Sequence, residues 1–293
     1  MNDYFRPRRS MLYVPGCNKR YINKARSLIV DSVILDLGNP ILVEAKEEAR
    51  ANVVEAVKEG GYGSREVVVR VNDLDSPWGR DDIFAVANIG ADAILFPNIE
   101  SSKDVDAVLA ILEEAGNTTI PIMVMIESPL AVLHAEEIAK SSSRIACMVM
   151  ATSDLLSHLR GLVTLERLPL LASLSMVQLA ARAYGRSIVD GINTNLKDMH
   201  AFEYACRLGR DMGLDGKTLV HPLQLDYCND AYTPKRAEVE MAREVISALA
   251  EANAAGRGTA VVAGRLIERH QVAAAKRLLV LSDMIKKLEA ESV

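Results

Sequence analysis

Short apolar segments alternate with longer amphipathic segments along most of this sequence. Most of the short segments are apolar throughout, which is typical of parallel strands covered on both faces. The longer segments have helical periodicity, and several end at the glycine expected just beyond a helix. The strand candidates span residues 10–14, 32–37, 66–71, 93–97, 121–126, 145–150, 186–191 and 217–222. These consecutive β/α units predict an α/β protein with a (β/α)8 TIM barrel, and a doubly wound open sheet is the alternative.

The pattern changes after the last strand candidate. Helical periodicity extends from about residue 234 to 253, a glycine-punctuated apolar strip covers 256–268, and a final helical pattern runs to about 291. We therefore predict a (β/α)8 barrel catalytic domain over residues 1–232 and a C-terminal helical extension over residues 233–293. The amphipathic helices of this extension must bury one face, against either the barrel or a neighbouring subunit.

The charge balance excludes several classes of partner. The 293 residues include 34 Lys and Arg against 39 Asp and Glu, a formal net charge of −5, so nucleic acid and anionic membrane surfaces are not attracted overall. No apolar run approaches the roughly 18 residues of a membrane span, and the N-terminus lacks a secretory signal pattern. The four cysteines lack the spacing of a zinc site. These features predict a cytoplasmic protein whose anionic ligands are bound by local groups.

Polar residues directly follow several strand candidates. Since the active site of a (β/α)8 barrel lies at the carboxyl ends of its strands, these residues are the first candidates for function. Glu127 and Asp154 follow two consecutive strands, and two carboxylates on one rim suit Mg²⁺, which keeps positions open for water and substrate oxygens. The alternative is that each carboxylate only stabilises the start of the next helix.

Arg70 ends a strongly apolar strand candidate. A guanidinium is costly to bury without an anion, and its planar fork matches a carboxylate through two parallel hydrogen bonds. Arg70 is therefore predicted to bind either a substrate carboxylate or a structural partner within the barrel.

Several segments, in the same order along the chain, match the motifs of one known family. The chain resembles the citrate lyase β-subunit-like proteins of the HpcH/HpaI aldolase superfamily, and the likeness covers nearly all of it. The matching segments are RRSMLYVPG (8–16), VILDL to EAKEEAR (33–50), VVVRVN (67–72), PIMVMIESP (121–129), TSDL (152–155), IVDGINTNLKD (188–198), GLDGKTLVHPLQL (213–225), NDAYTPKRAEVEMA (229–242) and AVVAGRLIERHQVAAAKRLL (260–279).

The resemblance implies a fold, a chemistry and an assembly. Members of this family are (β/α)8 barrels with C-terminal helices that form homotrimers or hexamers. They catalyse Mg²⁺-dependent cleavage or formation of a C–C bond between an acyl-CoA and a 2-oxo acid. By position, Glu127 and Asp154 correspond to the metal ligands, and Arg70 corresponds to the residue that binds the carboxylate of the 2-oxo acid. Backbone amides around Ser153 and Asp154 would bind the other end of that acid.

Basic residues near the N-terminus are the candidates for binding coenzyme A, which is part of the implied substrate. The residues are Arg8, Arg9, Lys19 and Arg20. The resemblance implies contacts between such residues and CoA phosphates. A basic loop that is only solvated is the alternative.

Three positions depart from the family pattern. The family usually has Asp-Leu-Glu-Asp where this chain has Asp-Leu-Gly-Asn (36–39), so two carboxylates are missing and Asp36 remains as the catalytic candidate of this segment. Asn98 replaces the usual lysine after the fourth strand. Glu268 stands in the segment from which related lyases often extend an acid into a neighbouring active site, and it becomes the remaining candidate for acid–base catalysis.

Together these features predict a Mg²⁺-dependent C–C lyase that cleaves a citramalyl-CoA, malyl-CoA or citryl-CoA type of substrate into an acyl-CoA and a 2-oxo acid. Two alternatives stay open. The first is an aldolase that acts on free 2-oxo acids without CoA. The second, suggested by Gly38 and Asn39, is a catalytically weakened paralogue that binds metal and 2-oxo acid as a subunit of a larger assembly or as a binding protein.

Overall fold

Eight parallel strands close into a barrel in the computed structural model, which describes residues 6–291. Each strand pairs with its neighbour in the chain, and the last pairs with the first to complete the ring. The strands are β1 (Ser10–Pro15), β2 (Ser32–Asp36), β3 (Glu66–Arg70), β4 (Ala93–Phe96), β5 (Ile122–Ile126), β6 (Ile145–Met150), β7 (Ser187–Asp190) and β8 (Gly216–Leu219). The predicted (β/α)8 barrel is confirmed.

Helices connect the strands and cover the outside of the barrel. They are α1 (Lys19–Ala25), α2 (Lys46–Glu59), α3 (Gly79–Val86), α4 (Ser102–Glu114), α5 (Pro129–Leu133), α6 (Ala135–Ser141), α7 (Thr152–His158), α8 (Leu168–Ala183), α9 (Met199–Met212) and α10 (Leu225–Tyr232). Local sequence sets their ends. Asp104 accepts a hydrogen bond from the N–H of Ser101 at the start of α4, and α9 ends at Gly213 with φ 89°.

Alternate residues of the strands point to opposite faces, and both faces are covered. Met11, Ile34 and Val68 are fully buried inside the barrel, while Val33 and Val69 are fully buried in the layer between strands and helices. This double burial explains why the strand segments are apolar throughout. Because the barrel interior is packed with apolar side chains, polar groups that face inward near the carboxyl ends of the strands define where a ligand can bind.

Residues 233–291 form a second compact unit. Its elements are the helices α11 (Arg236–Ala254) and α12 (Arg269–Ala290) and an antiparallel hairpin of β9 (Ala260–Val262) and β10 (Arg265–Ile267). A small apolar core that includes Val245, Val262 and Ile267 holds them together. Both helices agree with the helical periodicity of the sequence, which does not predict the hairpin. Across residues 6–291, no helix has the combination of length and hydrophobicity that crossing a bilayer requires.

Candidate active site

A cavity of about 460 Å³ lies at the carboxyl ends of the barrel strands. Strands β1, β2 and β3 contribute Tyr13, Asp36 and Arg70 to its wall. Asp154, in the first turn of α7 directly after β6, also lines it. The cavity therefore brings together side chains that are far apart in the sequence, at the end of the barrel where the strand-end argument predicts a site.

Asp36 and Arg70 form a salt bridge in the wall of the cavity. Nη1 of Arg70 lies 3.3 Å from Oδ2 of Asp36, and the backbone N–H of Gly38 donates to Oδ1 of the same carboxylate over 2.8 Å. Burial raises the pKa of Asp36, and the positive charge of Arg70 opposes that shift. Within residues 6–291, the buried Nε of Arg70 has no hydrogen-bond partner. Asp36 thus orients the guanidinium, which keeps a buried donor for a ligand.

Glu127 follows β5 at the same end of the barrel. Its Oε1 is buried and accepts no hydrogen bond from the part of the chain that the structure describes. Burial raises the pKa of the Glu127 carboxyl to about 7, the Arg70 charge opposes the shift, and the nearby Asp154 carboxylate adds to it. Because the two carboxylates repel each other, a cation bound by both would stabilise their ionised forms.

The oxygen donors of Glu127 and Asp154 fit the requirements of Mg²⁺. This hard cation commonly binds one or two protein carboxylates and fills its other positions with water and substrate oxygens. Among the described residues, no group of three or more Asp, Glu, His or Cys side chains is arranged to hold a metal ion. A metal bound at this point would therefore keep most of its positions free for a ligand that supplies oxygens.

The raised pKa of Glu127 predicts a pH-dependent cost to the folded state. Between 4.5 and about 7, the folded chain holds a proton that the unfolded chain releases, so the free energy of unfolding falls as pH rises through this interval. Glu127→Gln resembles the protonated form. It is expected to equal wild type near pH 4, below the pKa of the unfolded carboxyl, and to be more stable by about 1–3 kcal/mol at pH 8 without divalent metal. Urea unfolding at both pH values measures this difference, and equal stability at pH 8 would contradict the shift.

A sequence profile of the HpcH/HpaI aldolase/citrate lyase family matches residues 9–222. The chain belongs to this family. A similar curated protein is the (3S)-malyl-CoA thioesterase of Cereibacter sphaeroides, which is 40% identical over 279 residues that cover 95% of this chain and 96% of the relative. The citrate lyase subunit beta of Leuconostoc mesenteroides subsp. cremoris is 32% identical, and the alignment covers 98% of this chain and 97% of that subunit.

Solved structures share the fold. A citrate lyase from Burkholderia xenovorans LB400 aligns with a TM-score of 0.81 at 18% identity, covering 95% of this chain and 92% of that chain. The protein CitE from Mycobacterium tuberculosis, solved with magnesium, acetoacetate and coenzyme A, aligns with a TM-score of 0.72 at 23% identity, covering 95% of this chain and 98% of that chain. At these identities the likeness establishes the architecture of the chain.

Gly38 stands at one of the two positions where the family resemblance leads us to expect a carboxylate. A Cβ atom at position 38 would lie 3.0 Å from Oδ1 of Asp36 and 3.2 Å from Cζ of Arg70. Any side chain at this position would therefore require the Asp36–Arg70 pair to shift by a few tenths of an ångström. Asn39 follows on the exposed edge of the cavity. Glycine at position 38 therefore leaves the Asp36–Arg70 salt bridge undisturbed.

Asn98 stands where the family resemblance leads us to expect lysine, and it contacts Glu127 through its backbone. Its φ of 53° lies in the left-handed region, which asparagine tolerates better than most residues. The backbone N–H of Asn98 donates to the Glu127 carboxylate, and the side-chain amide donates to Asp73. Asn98 thus orients Glu127 without adding the positive charge of a lysine.

Two residues of this region are absent from the sequence-based candidates. Lys46, at the start of α2, is buried and its Nζ donates to the carbonyls of Leu37 and Gly38 over 2.8 and 2.7 Å. It fixes the loop that follows Asp36. A lysine on the buried face of a helix was the signal in the sequence that could have identified it. Tyr13 lies inside an apolar strand segment, so no pattern separates it from its core neighbours.

Arg8 and Arg9 lie away from the cavity, which contradicts their predicted role in CoA binding. Arg8 pairs with Glu66 over 2.6 Å, and Arg9 pairs with Asp31 over 2.8 Å. All four side chains are buried at the N-terminal ends of the strands, opposite the cavity. Because their charges are neutralised inside the protein, these arginines stabilise the base of the barrel and cannot reach a phosphate in solvent.

Lys19 and Arg20 lie on the cavity side of the barrel, in the helix that follows β1. Both are exposed, and Lys19 pairs with Glu55 over 2.8 Å. An exposed ion pair contributes little to stability, so Lys19 is available to exchange its partner for another anion.

Glu268 belongs to the second unit and precedes α12. Its backbone N–H donates to the Gln271 side chain over 2.7 Å, and its carboxylate lies 3.5 Å from Nδ1 of His270. The side chain is 56% exposed. An exposed carboxylate of this kind is accessible to another molecule, including a second copy of the chain.

Proposed function

We propose that this protein is a Mg²⁺-dependent CoA-ester lyase that cleaves a 3-hydroxy-carboxyacyl-CoA of the citramalyl, malyl or citryl type into an acyl-CoA and a 2-oxo acid. One observation carries the proposal. Arg70 lies at the same end of the barrel as the carboxylates of Glu127 and Asp154. Among the described residues, the buried Nε of Arg70 and the buried Oε1 of Glu127 have no hydrogen-bond partner. A 2-oxo acid offers a carboxylate to the arginine and oxygens to a metal. The names of relatives support the CoA-ester class.

Arg70 binds the substrate carboxylate in this proposal, and Asp36 holds the guanidinium in position. Both oxygens of Asp36 already accept hydrogen bonds, from Arg70 and from Gly38, so we assign Asp36 to positioning rather than to proton transfer. Mg²⁺, when bound by Glu127 and Asp154, supplies positive charge that acidifies the substrate hydroxyl and stabilises negative charge as the C–C bond breaks.

Cleavage requires one proton to leave the substrate hydroxyl and one proton to reach carbon. When a base takes the hydroxyl proton, the oxygen forms a carbonyl and the electrons of the C–C bond move into a thioester enolate. An acid then protonates the enolate carbon to give the acyl-CoA. We assign the protonation of the enolate carbon to Glu268 of a neighbouring subunit in a homotrimer or hexamer.

Two further contacts complete the proposed site. The N–H groups in the first turn of α7, around Ser153, lack intrahelical partners and suit the end of the acid that Arg70 does not bind. Lys19 and Arg20 are exposed beside the cavity end of β1 and suit the phosphates of CoA.

Thioester hydrolysis is the second candidate function. The relative from Cereibacter sphaeroides carries the name (3S)-malyl-CoA thioesterase, and the family's two additional carboxylates are replaced here by Gly38 and Asn39. In hydrolysis, water attacks the thioester carbonyl and CoA leaves as a free thiol while the C–C bond stays intact. The two reactions therefore release different products from the same substrate.

The experiment incubates the purified protein with citramalyl-CoA, malyl-CoA and citryl-CoA, and separately with the corresponding free acids, each with Mg²⁺ or with EDTA. The free thiol and the 2-oxo acid are measured in parallel. Release of a 2-oxo acid without free thiol, abolished by EDTA, is the expected result. Free thiol without 2-oxo acid would establish the thioesterase. Neither product from any substrate would favour the weakened paralogue, and cleavage of the free acids alone would favour an aldolase that does not use CoA.

Arg70→Lys tests the carboxylate contact. Lysine keeps the charge but loses the planar fork, so we expect the Kd for pyruvate or glyoxylate in the presence of Mg²⁺ to rise by at least about tenfold, or 1.4 kcal/mol. Isothermal titration calorimetry measures the change. Arg80→Lys, at an exposed arginine of α3, is the matched control. A Kd within a factor of two of wild type would return Arg70 to a purely structural ion pair with Asp36.

A further inference from the structure

Tyr13 is a polar residue of the cavity. The sequence patterns do not single it out, and the proposed reaction assigns it no role. It is the fourth residue of β1 and faces the barrel interior with Met11. Its side chain lines the cavity beside Asp36 and Arg70. A tyrosine at this position therefore carries a hydroxyl into the space that the substrate would occupy.

The surroundings of Tyr13 fix its ring and leave its hydroxyl available. Cζ of Arg70 lies 5.8 Å from the centroid of the ring, a cation–π distance that holds the two side chains together. Within residues 6–291, no side chain or backbone group forms a hydrogen bond with the Tyr13 hydroxyl. The ring is anchored, and its polar atom has no hydrogen-bond partner among the described residues.

The charges around the hydroxyl determine what it can do. Burial raises the pKa of Tyr13, Arg70 opposes the shift, and the carboxylates of Asp36, Glu127 and Asp154 add to it. The phenol therefore keeps its proton and acts as a hydrogen-bond donor. Since the neighbouring carboxylates are all acceptors and repel an anionic substrate, donors in this cavity are valuable for binding one.

We propose that Tyr13 is a specificity-determining residue whose hydroxyl donates a hydrogen bond to an oxygen of the 2-oxo acid that Arg70 binds. This inference rests on the proposed function, because it requires a 2-oxo acid in the cavity. Tyr13 and Arg70 would then both donate hydrogen bonds to the same 2-oxo acid. A phenylalanine at position 13 would keep the contact with Arg70 and lose only the donor.

Tyr13→Phe tests the inference directly. In calorimetric titrations with pyruvate and glyoxylate in the presence of Mg²⁺, we expect the Kd to rise by about tenfold, because the lost hydrogen bond reaches an ionised or strongly polarised acceptor. We expect the Tm of the ligand-free protein to stay unchanged or to rise, since the hydroxyl has no partner within residues 6–291 to lose. Mg²⁺ binding without the acid should match wild type.

Tyr62→Phe is the matched control. Tyr62 also lies under an arginine, with Cζ of Arg26 5.2 Å from the ring centroid, but it is outside the residues that line the cavity. Removal of the Tyr62 hydroxyl should leave the Kd for pyruvate unchanged. Comparison of Tyr13→Phe with Tyr62→Phe therefore shows whether the Tyr13 hydroxyl acts on the ligand or only on the fold.

The outcomes distinguish this inference from the function on which it rests. Wild-type affinity for both acids in Tyr13→Phe would overturn the inference and leave the proposed function intact. A weaker Kd accompanied by a Tm that falls by several degrees would assign Tyr13 to the fold and also overturn it. If the wild-type protein itself binds no 2-oxo acid with Mg²⁺ present, the proposed function and the inference fail together.

Discussion

Replacing Glu127 or Asp154 by alanine is expected to abolish both Mg²⁺-dependent turnover and the rise in Tm that Mg²⁺ produces in the wild-type protein. A ligand that binds only the folded state raises the Tm by mass action, so the shift disappears when the site can no longer hold the ion. Turnover should fall by a factor on the order of 10³ or more, because several kcal/mol of charge stabilisation are lost. Differential scanning fluorimetry over a Mg²⁺ series, together with the product assay, measures both effects.

Asp73→Asn is the control for this experiment. The negative charge of Asp73 acts on Glu127 and contributes to its raised pKa, but we do not assign Asp73 as a metal ligand. If ligation is decisive, the control keeps the Mg²⁺-dependent rise in Tm while both alanine variants lose it. If Mg²⁺ is instead attracted only by the summed negative charge of these carboxylates, all three variants weaken Mg²⁺ binding by similar factors. A full Tm shift in both alanine variants would remove Glu127 and Asp154 from the metal site.

The barrel was predictable because its strands are buried on both faces and its helices on one. Segments such as 66–71 and 145–150 contain no alternation, which only parallel strands between two apolar layers explain. The strand-end rule then located Arg70 and Glu127 at one end of the barrel, since the direction of every parallel strand is the same. These inferences depend on local periodicity and chain direction, and both properties are written directly in the sequence.

Features that depend on distant partners were not predictable. Arg8 looks like a basic residue of a loop, yet its partner Glu66 is 58 residues away and the pair is buried. Tyr13 is one side chain in an apolar strand, and only the pairing of β1, β2 and β3 in the folded barrel shows that it faces Arg70. The β9–β10 hairpin turns at Ala263 and Gly264, both with positive φ, and alanine is not a residue that signals such a turn.

Glu268→Gln is expected to lower kcat by about 10²–10⁴-fold with little change in KM, because proton transfer contributes to the transition state far more than to substrate binding. Glutamine keeps the size and the hydrogen bonding of the residue but cannot exchange a proton. Glu244→Gln, at another exposed glutamate of the second unit, is the control and should keep wild-type turnover. Full turnover in Glu268→Gln would remove this residue from the mechanism.

Mixing two inactive variants decides whether Glu268 acts on its own barrel or on a neighbouring one. Glu268→Gln chains retain the proposed metal site, and Asp154→Ala chains retain Glu268. When the two proteins are unfolded and refolded together, some mixed oligomers join an intact metal site of one chain to an intact Glu268 of another. Recovery of part of the wild-type rate is therefore expected, and separately refolded samples should stay inactive. If native mass spectrometry shows mixed oligomers and the rate still does not recover, Glu268 serves the barrel of its own chain.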